Sequence, residues 1–317
     1  MKAPKFWNSR NKWTIILSPV AKHYGKIVQR KLDRRPTYIS KLPVICVGNV
    51  TMGGSGKTPV VDAIVELLKE HGKSPAVLMR GYGGKEKGPL WITPEMDAAD
   101  CGDEALLHVL HAPTIISRDR TIGANEIEKK SELTHVVMDD GLQNPSLQKT
   151  TSILVMDGAN PVGNGFVFPA GPLRETIEHA IRRVNAVVIL GEDRLRLAEQ
   201  LQFLMPVFKG QLQAVNGAQF AGKPVIAFAG IGNPKKFYTS LAQNDAVIIK
   251  TYDFADHHPY TEADIQPMIN EAKRVGAKLV TTRKDWVRLS LAQQKHIDVL
   301  DVAIQWEDKQ KLEEFLI

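Results

Sequence analysis

Residues 44–58 read Val44-Ile45-Cys46-Val47-Gly48-Asn49-Val50-Thr51-Met52-Gly53-Gly54-Ser55-Gly56-Lys57-Thr58, an apolar strand running into a glycine-rich turn and a helix start. Such a turn lets successive backbone N–H groups point inward at phosphate oxygens, and the positive end of the following helix completes the cradle. Gly53, Gly54, Ser55 and Gly56 supply the bend, Lys57 is placed to reach the β- and γ-phosphates, and the Thr58 hydroxyl is placed to ligate Mg²⁺. Pro59 is tolerable because it falls in the first helical turn, where a donor is dispensable. One departure stands out. The usual pattern G-x-x-x-x-G-K-[ST] puts its first glycine at position 51, where this chain has Thr51. A plain glycine-rich strand-to-helix turn leaves the Gly-x-Gly-Lys-Thr run unexplained, so the stretch predicts an α/β fold of the P-loop NTPase type.

Working outward, short apolar runs alternate with helical stretches. Strands are expected at 44–47, 76–79, 114–116, 136–138, 153–156 and 186–190, then at 225–228, 247–251, 278–281 and 299–304. Helices are expected at 57–70, 103–110, 120–131, 175–183, 234–243, 262–275 and 308–316. This alternation argues for mostly parallel sheet flanked by helices. Pro206, Gly210, Gly217 and Gly222 punctuate 205–222, which places a lobe boundary there. The expected organisation is a basic amphipathic segment at 1–41, a P-loop core at 42–210 and a smaller C-terminal α/β lobe at 211–317.

The composition, 43% hydrophobic and 24% charged, is that of a soluble globular chain. No apolar run approaches the roughly 18 residues of a membrane-spanning helix, and the absence of a signal-peptide core argues against secretion. Cys46 and Cys101 read as free thiols in a reducing compartment, without metal spacing. The net charge of +6 is uneven: residues 1–41 hold eleven Lys/Arg against Asp33 alone, leaving −4 on the remainder. Within that segment Trp13, Ile16, Leu17, Val20, Tyr24, Ile27 and Val28 follow helical spacing, with a break expected at Ser18-Pro19. Such a helix either packs on its own core or lies on an anionic leaflet. Nucleic acid is a third reading, but no recognised binding motif supports it.

A metal-binding carboxylate is expected at the end of a neighbouring strand, and Val136-Val137-Met138-Asp139-Asp140-Gly141 fits, one of the two acids serving Mg²⁺. Thr282-Arg283-Lys284-Asp285 sets its Lys one position too late for a guanine reader, which favours ATP. Two segments could activate an acceptor: Gly102-Asp103-Glu104 at a helix start and Asp256-His257-His258-Pro259-Tyr260 between a strand and a helix. By pattern alone each reads as a cap or turn sooner than as a catalytic segment.

The order of motifs resembles the tetraacyldisaccharide 4′-kinases of lipid A biosynthesis over nearly the whole chain. The residues that carry the resemblance are 48–59, Arg80-Gly81-Tyr82-Gly83, Gly102-Asp103-Glu104, Ser117-Arg118-Asp119-Arg120, Asp139-Asp140-Gly141-Leu142-Gln143, Pro169-Ala170-Gly171-Pro172-Leu173-Arg174-Glu175, Gly230-Ile231-Gly232-Asn233-Pro234 and 256–260. The resemblance implies transfer of the ATP γ-phosphate to the 4′-hydroxyl of a tetraacylated glucosamine disaccharide 1-phosphate. It implies Asp103 as the base with His257 beside it, Lys57 at the phosphates, and Thr58, Glu104, Asp139 and Asp140 around Mg²⁺. Arg174, Arg80 and Arg120 become candidates for anionic groups of ATP or substrate. It also implies that the basic N-terminal segment meets an anionic membrane, at the cytoplasmic face of the bacterial inner membrane, with no obligate protein partner. Ala105, where the family often has Pro, and Thr282-Arg283-Lys284-Asp285, where it commonly has Thr-Glu-Lys-Asp, leave that expected chemistry untouched. The rival is a P-loop ATPase of the targeting or partitioning type, against which Met52 counts, since that deviant loop usually carries Lys there.

Overall fold

A computed structural model describes residues 4–54 and 56–317. Strand β1 (Val44–Gly48) is buried along its length. Val44 and Cys46 enter one apolar cluster, and Ile45 and Val47 the opposite one, as the two-residue period of a strand requires. Burial on both faces suits a parallel strand covered by helices. In chain order there follow β2 (Pro75–Met79), β3 (Leu90–Trp91), β4 (Thr114–Ile116), β5 (His135–Asp139), β6 (Thr151–Asp157), β7 (Ala186–Leu190) and β8 (Val207–Ala214). After these come β9 (Pro224–Ala229), β10 (Val247–Asp253), β11 (Lys278–Thr282), β12 (Asp298–Leu300) and β13 (Val302–Trp306).

Among the described residues nine strands form one sheet, in the order β13-β8-β7-β6-β1-β5-β2-β4-β3, and four form a second, β10-β9-β11-β12. The large sheet is parallel except at its edges, where β3 and β13 run antiparallel to β4 and β8. β1 lies between β5 and β6, where the winding reverses, so the turn after β1 opens into the crevice beyond the strand ends. The Lys57–Glu70 helix covers one face with Val60, Val61, Ile64, Val65, Leu67 and Leu68. In the small sheet, the Pro234–Gln243 helix buries Phe237 and Leu241, and the Glu262–Val275 helix buries Ile265, Met268, Ile269 and Ala272.

Three of the differences from the sequence expectations have a clear local reason, and β3 is also not expected. β8 occupies the expected boundary. Gly210 is not a break: its missing side chain lets β13 lie close, since a Cβ there would sit 2.6 Å from Ile304 Cγ2. The division at 210/211 therefore falls inside β8, and β13 with the Lys309–Leu316 helix returns to the large sheet, Leu312 fully buried on its core. The single strand expected at 299–304 is two. Asp301 interrupts it, accepting 2.7 Å bonds from both Arg283 Nε and Nη2 and donating its N–H to Asn216 Oδ1 at 2.9 Å. Finally, the Lys12–Leu32 helix runs through Pro19 without a break. Pro19 has no N–H for the Ile15 carbonyl, and the Ser18 hydroxyl donates to it instead at 2.9 Å.

Candidate active site

The turn after β1 is braced from outside. Met52 N–H donates to Pro172 O and Arg174 N–H to Val50 O, both at 2.7 Å, around an antiparallel bridge of Thr51 with Leu173. Position 51 is thus extended backbone that needs no glycine, and the Thr51 hydroxyl accepts from Asn49 Nδ2 at 3.1 Å. Glycine is needed later. Gly56 caps the Lys57–Glu70 helix at φ 78°, and a Cβ there would lie 2.5 Å from Leu190 Cδ1. Gly53, Gly54, Gly56, Lys57 and Thr58 all line one cleft, whose far side is built by Ile231–Lys236, Asp253–His257 and Thr282–Lys284 of the small sheet. Ser55 lies outside the described residues.

The two acids that follow β5 face different partners. Asp140, held at φ 50°, accepts from Arg174 Nη1 at 2.8 and 2.9 Å and lies 3.7 Å from Lys57 Nζ. Burial pushes its pKa up, but Lys57 and Arg174 outweigh it and hold the carboxyl below its usual range. Asp139 is 1% exposed; its Oδ2 meets His108 Nε2 at 3.2 Å, while its buried Oδ1 has no hydrogen-bond partner among the described residues. His108 is itself completely buried, with Nδ1 2.5 Å from Asp62 Oδ1. Burial opposes its charge, yet the two carboxylates raise its pKa to about 10. Glu104 lines the same cleft, and burial together with the Asp139 charge raises its pKa.

Asp103 and His257 are 154 residues apart, and His257 follows a strand of the small sheet, yet Asp103 Oδ2 lies 2.8 Å from His257 Nδ1. Asp103 begins the Asp103–His108 helix, and its Oδ1 accepts the Glu104 N–H at 3.0 Å. Gly102 makes this start possible: its φ is 88°, and a Cβ would meet Tyr82 O at 2.4 Å. His257 follows β10 at φ 58°, a left-handed conformation that costs a non-glycine residue on the order of 1–3 kcal/mol. Its N–H donates to Gly230 O at 3.1 Å. Burial raises the pKa of Asp103, but the His257 hydrogen bond and the charges of Lys284 and Arg288 more than offset it and leave the carboxyl below its usual range.

Of the three arginines singled out in the sequence, Arg174 is engaged by Asp140 and Gln143. Arg80 and Arg120 line the cleft together. Arg120 is 5% exposed, its Nη1 donates to Ser117 O at 2.7 Å, and its Nε has no partner among the described residues. Burial and the nearby Arg80 lower its pKa to about 10, so it remains a cation at neutral pH. Five side chains around the site were given no role by the sequence: His108, Asp62, Lys284, Asp285 and Arg288. Arg288 Nε lies 3.4 Å from Asp103 Oδ2. The available hints were the i, i+4 spacing of Lys284 and Arg288 and the Lys-Asp that Thr282-Arg283-Lys284-Asp285 shares with the family's Thr-Glu-Lys-Asp.

A polar chain joins the N-terminal helix to this site. Asp33, which caps that helix, meets His179 Nε2 at 2.8 Å, and His179 Nδ1 meets Glu175 Oε2 at 2.8 Å. Gln143 Nε2 then donates to Glu175 Oε1 at 2.9 Å, while Gln143 Oε1 accepts from Arg174.

The residues suit Mg²⁺, a hard ion that takes oxygen ligands and keeps several waters and phosphate oxygens. The Thr58 hydroxyl and the unpartnered Asp139 Oδ1 are oxygens of that kind on the cleft. Among the described residues no cluster of three or more His, Cys, Asp or Glu forms an all-protein cage. Against known proteins, residues 13–317 match the family model described as LpxK, tetraacyldisaccharide-1-P 4′-kinase. The chain is similar to the tetraacyldisaccharide 4′-kinase of Rhodospirillum rubrum, 42% identical over 97% of this chain and 95% of that one. It is also similar to the protein of that name from Methylobacterium nodulans, 44% identical over 97% and 93%. Among solved structures it resembles LpxK from Aquifex aeolicus in complex with ATP, with a TM-score of 0.77, 27% identity and coverage of 96% and 98%.

Proposed function

The chain belongs to the tetraacyldisaccharide-1-P 4′-kinase family, and from that membership we propose how its own residues carry out the transfer of the ATP γ-phosphate to the 4′-hydroxyl of the tetraacyldisaccharide 1-phosphate. The observation that carries the proposal is the 2.8 Å Asp103–His257 pair beside Glu104, on the cleft that Lys57 and Thr58 line. Asp103 accepts the hydroxyl proton as the hydroxyl oxygen bonds to the γ-phosphorus and the bond to the bridging oxygen of ADP breaks. Its carboxylate is a weak base, held ionised by His257 and its cationic neighbours. That suffices for a loose phosphoryl-transfer transition state, in which positioning and charge dominate. His257 orients the carboxylate, and Lys57 holds the β- and γ-phosphates. Thr58 and Asp139, with Glu104 near, would hold Mg²⁺, which would supply neutralisation of charge on the phosphate oxygens. Asp140 orients Lys57 and Arg174, and the Arg80–Arg120 pair receives an anionic group of donor or acceptor.

The N-terminal helix supports action at a lipid surface. It buries Thr14, Ala21 and Leu32 while exposing Trp13, Ile15, Ile16, Val20 and Ile27. No described helix is long and apolar enough to cross a membrane. We read it as lying in the interface of an anionic leaflet, apolar side down with its lysines at the headgroups, on the cytoplasmic side where ATP is available. Replacing Trp13 and Ile16 by Asn is expected to release the protein from phosphatidylglycerol vesicles without unfolding it, and unchanged flotation sinks this reading. The transfer itself is tested with γ-labelled ATP. Label should reach the 4′-position only with the acylated disaccharide present, and Lys57→Ala should abolish it. ADP release indifferent to the acceptor would contradict it and favour a partner-driven ATPase.

A further inference from the structure

The Thr282-Arg283-Lys284-Asp285 segment lies against the Asp103–His257 pair. Lys284 Nζ is 3.3 Å from His257 Nε2, across the ring from the Nδ1 that meets Asp103. An ammonium has three donors and no acceptor, so this contact requires Nε2 to offer a lone pair. The ring proton then sits on Nδ1 and is donated to Asp103 Oδ2. A proton on Nε2 would aim one donor at another and, with Nδ1 also protonated, would set two cations side by side. Asp256 Oδ1, the other charged group near Nε2, is 3.9 Å away and outside hydrogen-bond range.

We propose that Lys284 is a positioning residue that fixes the His257 ring with its proton on Nδ1, so that this nitrogen donates to Asp103 Oδ2 and the carboxylate keeps a lone pair for the acceptor hydroxyl. Which imidazole nitrogen carries the proton is set by the bond the other one makes, and the small sheet is built to enforce it. Asp285 is fully buried; its Oδ1 accepts the Gly230 N–H at 2.9 Å and the Tyr260 hydroxyl at 2.8 Å. The Gly230 carbonyl accepts the His257 N–H, and the Thr282 hydroxyl that caps the Lys284 helix donates to Asp285 Oδ2 at 2.6 Å. One carboxylate thus ties the ring's loop to the ammonium's helix. Arg288, one turn on, donates from Nε to Lys284 O at 3.0 Å and closes the arrangement over Asp103.

The inference rests on the reading of Asp103 and His257 as the base pair, and its test separates the two. Histidine ¹⁵N spectra of the full chain, with the His257 signal identified through His257→Gln, report which ring nitrogen is protonated. In the wild type Nε2 should be pyridine-like and Nδ1 pyrrole-like. In Lys284→Met, Nε2 should gain a proton facing Asp256, and kcat should fall about tenfold or more, a fraction of the roughly 10²–10⁴ that a positioned base contributes. KM for ATP should not change. Lys284→Arg keeps the donors and should retain both the wild-type spectrum and most of kcat. A protonated Nε2 in the wild type, or an unchanged tautomer in Lys284→Met, overturns the proposal, as does a loss confined to KM for ATP. If Lys284→Met does not fold, the wild-type and Lys284→Arg spectra still decide. A tautomer that shifts as expected, with near-normal turnover in Asp103→Asn, instead removes the base reading and leaves the Lys284 contact standing.

Discussion

Replacing His108 by Leu should destabilise the fold by about 3 kcal/mol at neutral pH, and the deficit should shrink as the pH rises. His108 is buried between Asp62 and Asp139, whose side chains are 17% and 1% exposed. Removing the cation leaves two carboxylates facing each other, and breaking a buried ion pair costs roughly 3–5 kcal/mol. Partial exposure of Asp62 favours the lower end. The pKa offers an independent ceiling. A rise from 6.5 to about 10 corresponds to on the order of 5 kcal/mol. Because the folded pKa is raised, this stability is fully present below the unfolded value near 6.5 and is lost as pH climbs through about 10. Urea unfolding of wild type and His108→Leu at pH 6.5, 8 and 10 measures it. The gap should be widest at pH 6.5 and close towards pH 10, with His108→Gln between the two proteins because its amide still reaches one carboxylate. A gap that is constant with pH, or below about 1 kcal/mol throughout, which is the worth of an exposed pair, would show that the two carboxylates do not hold His108 as a stabilising cation.

Leu312→Ala should cost roughly 2–4 kcal/mol in the same assay, because its side chain is fully buried against the large sheet's core; a surface-like loss below about 0.5 kcal/mol would deny that the C-terminal helix belongs there. Gly102→Ala forces a Cβ to 2.4 Å from Tyr82 O at φ 88° and should displace Asp103, lowering kcat about a hundredfold with nucleotide affinity kept; wild-type kcat would show that the helix start tolerates the shift. Asp139→Asn should raise the Mg²⁺ concentration for half-maximal turnover about tenfold or more, whereas Asp140→Asn should act mainly on KM for ATP through Lys57. Equal Mg²⁺ dependence in both variants contradicts that division.

The cradle was legible because everything it needs is contiguous: a buried strand, three positive-φ or side-chain-free positions, and a helix start. Thr51 looked like a defect only because its brace, Leu173, lies 122 positions away and makes the site extended. The Asp103–His257 pair could be named through the family resemblance but not from pattern, since a helix start and a turn 154 residues apart show their pairing only once folded. Lys284 was invisible for the same reason: its role depends on which edge of an imidazole it faces. Pro19 misled because the compensating hydroxyl of Ser18 is a side-chain event that no backbone propensity contains. β8 was missed because Gly210 punctuates it, and an edge-facing strand with exposed Gln211 and Gln213 has little apolar period to read.

We propose Asp103 as the group that takes the acceptor proton while the nucleotide is bound elsewhere in the cleft. Single-turnover transfer of labelled γ-phosphate by Asp103→Asn, with Mg-ATP affinity measured on the same preparation, tests it most directly. The account predicts a loss of about 10²-fold or more in the transfer rate with ATP affinity within about threefold of wild type. Transfer at the wild-type rate, or a loss that follows weakened ATP binding, would contradict it.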